Sequence, residues 1–293
     1  MSEAGGQGKA AFAALTGAAL IGLSPVAVRI SELGPHATNL WRFLFALPIL
    51  ALWAGWARPI PTTRQTSWIL GAGVLFGIEV SLWAAALGLT TVTNATLLAN
   101  LTPVFAAAFG WVLFKERLRG AVLAGGITAL AGAVVLAMAR AHSAVGPATP
   151  EAGWFGDALG FSAAIGYAGY LLIVRALGKN VSVGAVMFWA TLSAAAVCGA
   201  LALFFGEALL PRTALGWTNL VGLGLVVQVG GQGLIAYGVG RLPIVASTVL
   251  LWMQPLVAAV LSWILFDETL GALALLGATL ILGGIYVVQR YRA

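Results

Sequence analysis

One carboxylate, Glu79, stands well inside an apolar run, in FGIEVSLW. A charge in hydrocarbon must be neutralised by a proton, paired or wetted, because burying it alone costs far more than burying a neutral polar group. Phe76 and Trp83 lie three and four residues from it, on the same helical face. A second apolar run, LGLVVQVGGQGLIAYGVG, carries Gln228 and Gln232 on one face, each amide able both to donate and to accept hydrogen bonds. One carboxylate with two amides and nearby aromatic rings suits a polar or zwitterionic solute. Glu79 would serve it either through a charge-assisted bond to an ammonium group or by carrying a proton. The plainer alternative is a neutral glutamic acid bonded to a neighbouring helix for packing.

Prolines add a second feature. Pro103 and Pro255 fall near the middle of apolar runs, with Asn100 and Thr102 beside the first and Trp252 and Gln254 beside the second. Proline within a helix removes a donor and clashes with the preceding turn, so a kink is expected, and the carbonyls it frees need polar neighbours or water. Such kinks serve as hinges for alternating access or as static bends. Trp83 and Trp252 lie deep, as do Tyr167 and Tyr170 on one face of another run. The candidate substrate-binding set is therefore Glu79, Trp83, Asn100, Tyr170, Gln228, Gln232, Trp252 and Gln254, with Pro103 and Pro255 as hinges. The glycines among the two glutamines admit close backbone approach, and ordinary small-residue helix packing explains any one of them equally well.

Enzymatic chemistry finds no support. His36 and His142 fall in connections, Asp157 and Asp267 at the ends of runs, and no HExxH or GxSxG pattern occurs. No cofactor and no metal site is expected, and the lone Cys198 lies inside a run where an intramolecular disulfide has no partner.

The elements that must position these residues are membrane-spanning helices. Hydrophobic residues make up 61% of the 293 and charged ones only 8%, against roughly 25% charged in soluble domains. A crossing helix needs about 20 apolar residues, and ten such stretches are present. They run approximately 10–28, 37–56, 67–87, 92–114, 120–138, 154–174, 182–205, 217–239, 243–266 and 270–288. The expected class is an all-α integral membrane protein of ten transmembrane helices; the alternating pattern of a β-barrel is absent.

The segment NATLLANLTPVFAAAFGWVLFKERL, starting at Asn94, reappears from Ala246 as ASTVLLWMQPLVAAVLSWILFDETL, 152 residues later. Thr96, Pro103, Trp111, Phe114 and Glu116 recur as Thr248, Pro255, Trp263, Phe266 and Glu268, and the offset carries Gly125 and Gly132 onto Gly277 and Gly284. Shared composition cannot hold prolines and glutamates in register, so the chain reads as a duplication. Residues 1–142 form a first five-helix repeat, 143–153 a linker and 154–293 a second. Five spans is an odd number, so the two repeats are expected to be inverted, as in many secondary transporters.

Orientation follows from the excess of basic residues in cytoplasmic connections. Lys9, Arg58, Arg64, Lys115, Arg117, Arg119, Arg175, Lys179, Arg241, Arg290 and Arg292 fall on one side, and Arg29, Arg42, Arg140 and Arg212 on the other. That bias, eleven against four, places both termini in the cytoplasm and accounts for the net charge of +6 without a nucleic-acid partner. With Arg42 placed in a connection, no lysine or arginine is expected at mid-span to bind a phosphate, so sugar phosphates are expected to fit less well than amino acids. Glu116 and Glu268, each just before a new helix, are expected to be structural caps.

The two repeated segments, with SPVAVR at Ser24 to Arg29 and WRFLFAL at Trp41 to Leu47, resemble the EamA-type exporters of the drug/metabolite transporter superfamily over essentially the whole chain. Ile21 stands before Gly22 where that family often has tryptophan, and Lys115 and Asp267 replace the small residue usual before the loop glutamates. Glu79 is similar to a third-helix glutamate of YddG-type amino-acid exporters. The resemblance implies a multi-pass protein of the bacterial inner membrane that exports small metabolites, amino acids foremost, with cationic drugs as the alternative. The inverted repeats disfavour a passive channel. Its partners would be the solute and the lipid bilayer, with no obligate protein partner evident.

Overall fold

The computed structural model describes residues 2–89, 98–99, 101–115, 120–141, 150–178, 180–266 and 271–291. Regular structure among them is helical throughout. Helices α1 (Ser2–Ile21) and α2 (Ser24–Arg29) share one span, followed by α3 (Pro35–Trp56), α4 (Thr63–Leu89), α5 (Thr102–Phe114), α6 (Gly120–Ala141), α7 (Pro150–Leu177) and α8 (Val183–Phe204). The next span combines α9 (Ala214–Gly222), a π-helical segment (Leu223–Gln232) and α10 (Gly233–Val239). Then come α11 (Ile244–Leu250), α12 (Met253–Phe266) and α13 (Ala272–Tyr291).

Among the described residues, six stretches are long and apolar enough to cross a membrane: Gly6–Val28, Pro35–Trp56, Thr63–Ala86, Gly153–Leu177, Val183–Phe204 and Ala214–Val239. Shorter apolar helices, Thr102–Leu113, Gly120–Val135, Ile244–Ala258 and Leu275–Val288, fall where the fourth, fifth, ninth and tenth spans are expected. The 22 residues of α3 rise through about 33 Å, enough for the hydrocarbon layer. Large apolar side chains cover the outside, Trp56 being 84% exposed and Trp154 81%, as suits helix ends at a lipid interface.

Two expected mid-span kinks take a different form. Pro255 is in the first turn of α12, after a turn at Leu251 and Trp252, and Pro103 is in the first turn of α5, after a turn at Leu101. A first-turn residue has no intrahelical acceptor for its N–H, so proline is tolerated there. The spans are interrupted ahead of the prolines rather than bent at them. Pro48, inside α3, is the mid-helix proline that the sequence reading passed over.

The packing reflects the duplication. Helices α6 and α13, counterparts in the two halves, lie against each other in antiparallel sense. A Cβ on Gly125 would come within 2.9 Å of the Gly284 carbonyl, and one on Gly132 within 2.7 Å of the Gly277 carbonyl. Gly277 and Gly284 are the repeat counterparts of Gly125 and Gly132, so the contact is reciprocal, as across a two-fold axis. Around Glu79 the contacts are not reciprocal residue for residue: Gly166 of α7 packs on Glu79, while Gly231, the residue in register with Glu79, meets Gly17 and Ile21 of α1.

Connections at one end of the bundle cap each other's helices. Glu207, after α8, accepts hydrogen bonds from the Ala37 N–H (2.7 Å) and the His36 N–H (3.4 Å) at the start of α3, and lies 2.6 Å from His36 Nδ1. A Cβ on Gly34 would meet the Glu207 carboxylate in this position, so that the capping side chain would have to shift. Glu32, after α2, accepts from the Arg212 N–H (2.6 Å), the Thr213 N–H (3.2 Å) and the Thr213 hydroxyl at the start of α9. At the other end the Ser182 N–H, before α8, bonds to the Pro59 carbonyl at 3.1 Å. At each end the first connection of one half meets the second connection of the other.

Candidate functional site

The polar site is built where α3, α4, α7, α8 and the π-helical segment meet. A π-helix reaches back five residues for each hydrogen bond and is wider than an α-helix, which re-aims the side chains within it. Gln228 and Gln232 both lie in this segment and both are 1% exposed. Gln228 Nε2 donates to Thr191 Oγ1 of α8 at 2.9 Å, and its Oε1 accepts from Arg42 Nε of α3 at 3.2 Å. Gln232 lies near the hydroxyls of Tyr167 and Tyr170 on α7. Its Nε2 is buried without a hydrogen-bond partner among the described residues.

Glu79, on α4, faces this cluster. It is partly buried, with Cβ against Gly166, and it lies within electrostatic reach of the Arg42 guanidinium and near the two tyrosines. The absent side chain at Gly166 lets α4 and α7 approach closely enough for this contact. Phe76, one turn earlier on α4, stacks on Tyr170 with ring centroids 4.9 Å apart, and Tyr167 and Tyr170 are themselves 5.9 Å apart and nearly parallel. Phe43 follows at 5.6 Å from Phe76. A carboxylate, a guanidinium, an amide with unused donors and an aromatic wall thus share one interior region.

Four of the expected residues, Glu79, Tyr170, Gln228 and Gln232, come together there. Trp83 is half-buried one turn beyond Glu79 on α4, and Gln254 is half-buried at the start of α12, its carbonyl against Gly22 where the first span breaks. Trp83 and Gln254 stand outside the hydrogen-bonded network among the described residues. Trp252 is 2% exposed, in the turn between α11 and α12. Asn100 lies outside the described residues, as do Glu116 and Glu268. The glycines around the glutamines are packing positions: Gly231 meets Gly17 and Ile21, Gly238 meets Ala10 and Ala14, and Gly224 meets Arg42 and Phe45.

Arg42 requires a correction. Counted by sequence among the basic residues of a connection, it lies inside α3, 4% exposed and bonded to Gln228. The span therefore does contain a buried arginine, and the argument against anionic solutes from the lack of one fails. The signal was present in the sequence, since WRFLFAL sits within the second apolar run. Thr191 and Tyr167 complete the set, the former carrying no sequence signal beyond its place in an apolar helix.

The EamA-like transporter family model matches residues 8–138 and 154–290. Over 198 residues the chain is 30% identical to a protein of Streptantibioticus cattleyicolor named a probable terminal-alkyne amino-acid exporter, covering 67% of this chain and 64% of that protein. A transporter of Archaeoglobus fulgidus with no assigned substrate is 34% identical over 115 residues, 38% of this chain and 39% of that one. The transporter YetK of Bacillus subtilis, also uncharacterised, is 27% identical over 201 residues, 68% of this chain and 60% of its own. The matches thus span between about two fifths and two thirds of these relatives' lengths. A solved crystal structure shares the fold, with a TM-score of 0.79, 24% identity and 97% of each chain covered. With both of its halves matched by the same family model, the chain belongs to the EamA-like transporter family, a family of multi-pass membrane transporters within the drug/metabolite transporter superfamily.

Proposed function

We propose that this transporter exports small metabolites, chiefly neutral and aromatic amino acids, by alternating access around the interior polar site. Residues 1–142 and 154–293 then act as two inverted five-helix repeats, joined by 143–153, in a ten-helix bundle of a bacterial inner membrane with both termini in the cytoplasm. With Arg42 moved into its span, the basic residues of the connections divide eleven against three, which strengthens that orientation.

The observation that carries the substrate class is the meeting of Glu79, Gln228, Gln232 and Tyr170 inside apolar helices, since intramembrane polar groups mark solute pathways. Glu79 offers an acceptor for an ammonium group, and Phe76, Tyr167 and Tyr170 offer a wall for an apolar side chain. Trp83, Asn100, Trp252 and Gln254 are the further substrate-binding residues of this proposal, with Pro103 and Pro255 as its hinges. The similarity to a named amino-acid exporter points the same way. A cationic drug would suit Glu79 among aromatic rings, but the neighbouring Arg42 charge opposes it.

Counterflow of radiolabelled amino acids into liposomes, scanned across side-chain types and pH, tests this reading. Saturable exchange of neutral or aromatic amino acids is expected. Exchange of a quaternary ammonium compound with no exchange of any amino acid would replace it with the drug-export reading.

A further inference from the structure

A zwitterion brings two charges into the membrane, and so far only its ammonium group has a partner. Gln228 accepts from Arg42 through Nε alone, at 3.2 Å. That bond leaves the end-on edge of the guanidinium, formed by its two terminal nitrogens, unoccupied by Gln228. The edge is a planar fork that matches a carboxylate in two parallel hydrogen bonds. Thr191, bonded to the other end of the Gln228 amide at 2.9 Å, fixes the orientation of that amide and hence of the arginine.

A second donor stands in the same cluster. Gln232 Nε2 is buried with no hydrogen-bond partner among the described residues, near the rings of Tyr167 and Tyr170. A buried amide donor left unused costs stability, and such groups in native proteins call for an explanation. An acceptor supplied by a solute is one. Arg42 and Glu79 lie within electrostatic reach of each other across this region, so an incoming zwitterion would offer each of them an opposite charge.

We propose that Arg42, positioned by Gln228 and Thr191, binds the solute's carboxylate with Gln232 Nε2 donating to the same group, so that the transporter selects α-amino acids over the corresponding amines. This rests on the amino-acid reading above. The Arg42 guanidinium is thus a specificity-determining contact, and Gln228 and Thr191 are positioning residues. Amino acids are held at both ends, an amine only at Glu79, and a desamino acid only at Arg42.

The test is competition against radiolabelled phenylalanine in liposome counterflow, with phenylalanine, phenylalaninamide, phenethylamine and 3-phenylpropionate as competitors. In the unmodified protein the amide and the amine should each compete at least about tenfold more weakly than phenylalanine, the range expected for losing a charge-assisted hydrogen bond. Arg42→Gln should reduce phenylalanine exchange about tenfold or more while phenethylamine is handled as well as before, collapsing the preference. Arg42→Lys, which keeps the charge without the fork, should retain part of it. Equal competition by phenylalanine and phenylalaninamide in the unmodified protein overturns the proposal, whether or not the variants fold. So does an Arg42→Gln protein that elutes as a single species and keeps the original preference, which would make Arg42 a packing partner of Gln228. Failure of the unmodified protein to exchange any amino acid overturns the amino-acid reading itself, a separate result.

Discussion

Glu79 is the residue on which the chemistry turns, and it admits two versions that experiment separates. If it binds the ammonium group, Glu79→Gln weakens exchange about tenfold or more and Glu79→Asp keeps part of it, read as counterflow at fixed pH. If it carries the coupling proton, Glu79→Gln preserves exchange at equal pH on both sides but abolishes accumulation driven by a pH difference. A Glu79→Gln protein that folds and transports at the unmodified rate across a range of pH excludes both. Outside the spans, Glu32 gives a pH-dependent handle of its own. Hydrogen bonds from the Thr213 hydroxyl and the Arg212 N–H hold its carboxyl below the ordinary value of 4.5. A carboxyl lowered by folding stabilises above its unfolded pKa, and that contribution is lost as pH falls through the folded one. Thermal unfolding should therefore show a loss of stability on acidification below about pH 4.5 that is smaller in Glu32→Gln.

At the scale of elements, the caps and glycine contacts carry the structural predictions. Glu207 satisfies two orphan N–H groups at the start of α3, so Glu207→Ala should cost about 1–2 kcal/mol in denaturant or thermal unfolding. Gly132→Leu should disrupt α6 against α13 far more than Gly120→Leu, which meets open space, and the difference is readable as yield of folded protein in detergent. Much of this level was legible in the chain. The apolar runs gave α3, α4, α7 and α8 to within a few residues, because hydrocarbon forces backbone groups to bond within a helix. The break in the ninth span was legible as a kink at Pro255, although it falls just ahead of the proline, whereas that in the first span was passed over although Pro25 opens α2 in the same way. The π-helical winding of Leu223–Gln232 had no signature beyond its glycines. At the site, Glu79 and the two glutamines announced themselves as polar groups in apolar runs. Arg42 was misplaced because a charge near the start of a run reads equally as its boundary, and only its bond to Gln228 decides.

The whole molecule is organised by its duplication. Gly125 facing Gly284 and Gly132 facing Gly277 is the packing signature of two related halves, and it supports the inverted arrangement proposed here. A reporter fused to the C-terminus should be active in the cytoplasm and silent in the periplasm; the reverse would contradict the orientation. That architecture places a polar cluster at the seam of the halves, and transport follows from it only if an amino acid binds there. The most direct measurement is equilibrium binding of radiolabelled phenylalanine to the purified protein, unmodified and as Glu79→Gln. The account predicts saturable binding in the unmodified protein, displaced by other neutral amino acids and weakened about tenfold or more by the substitution. Equal binding by both proteins, with both folded, would contradict a site built around Glu79.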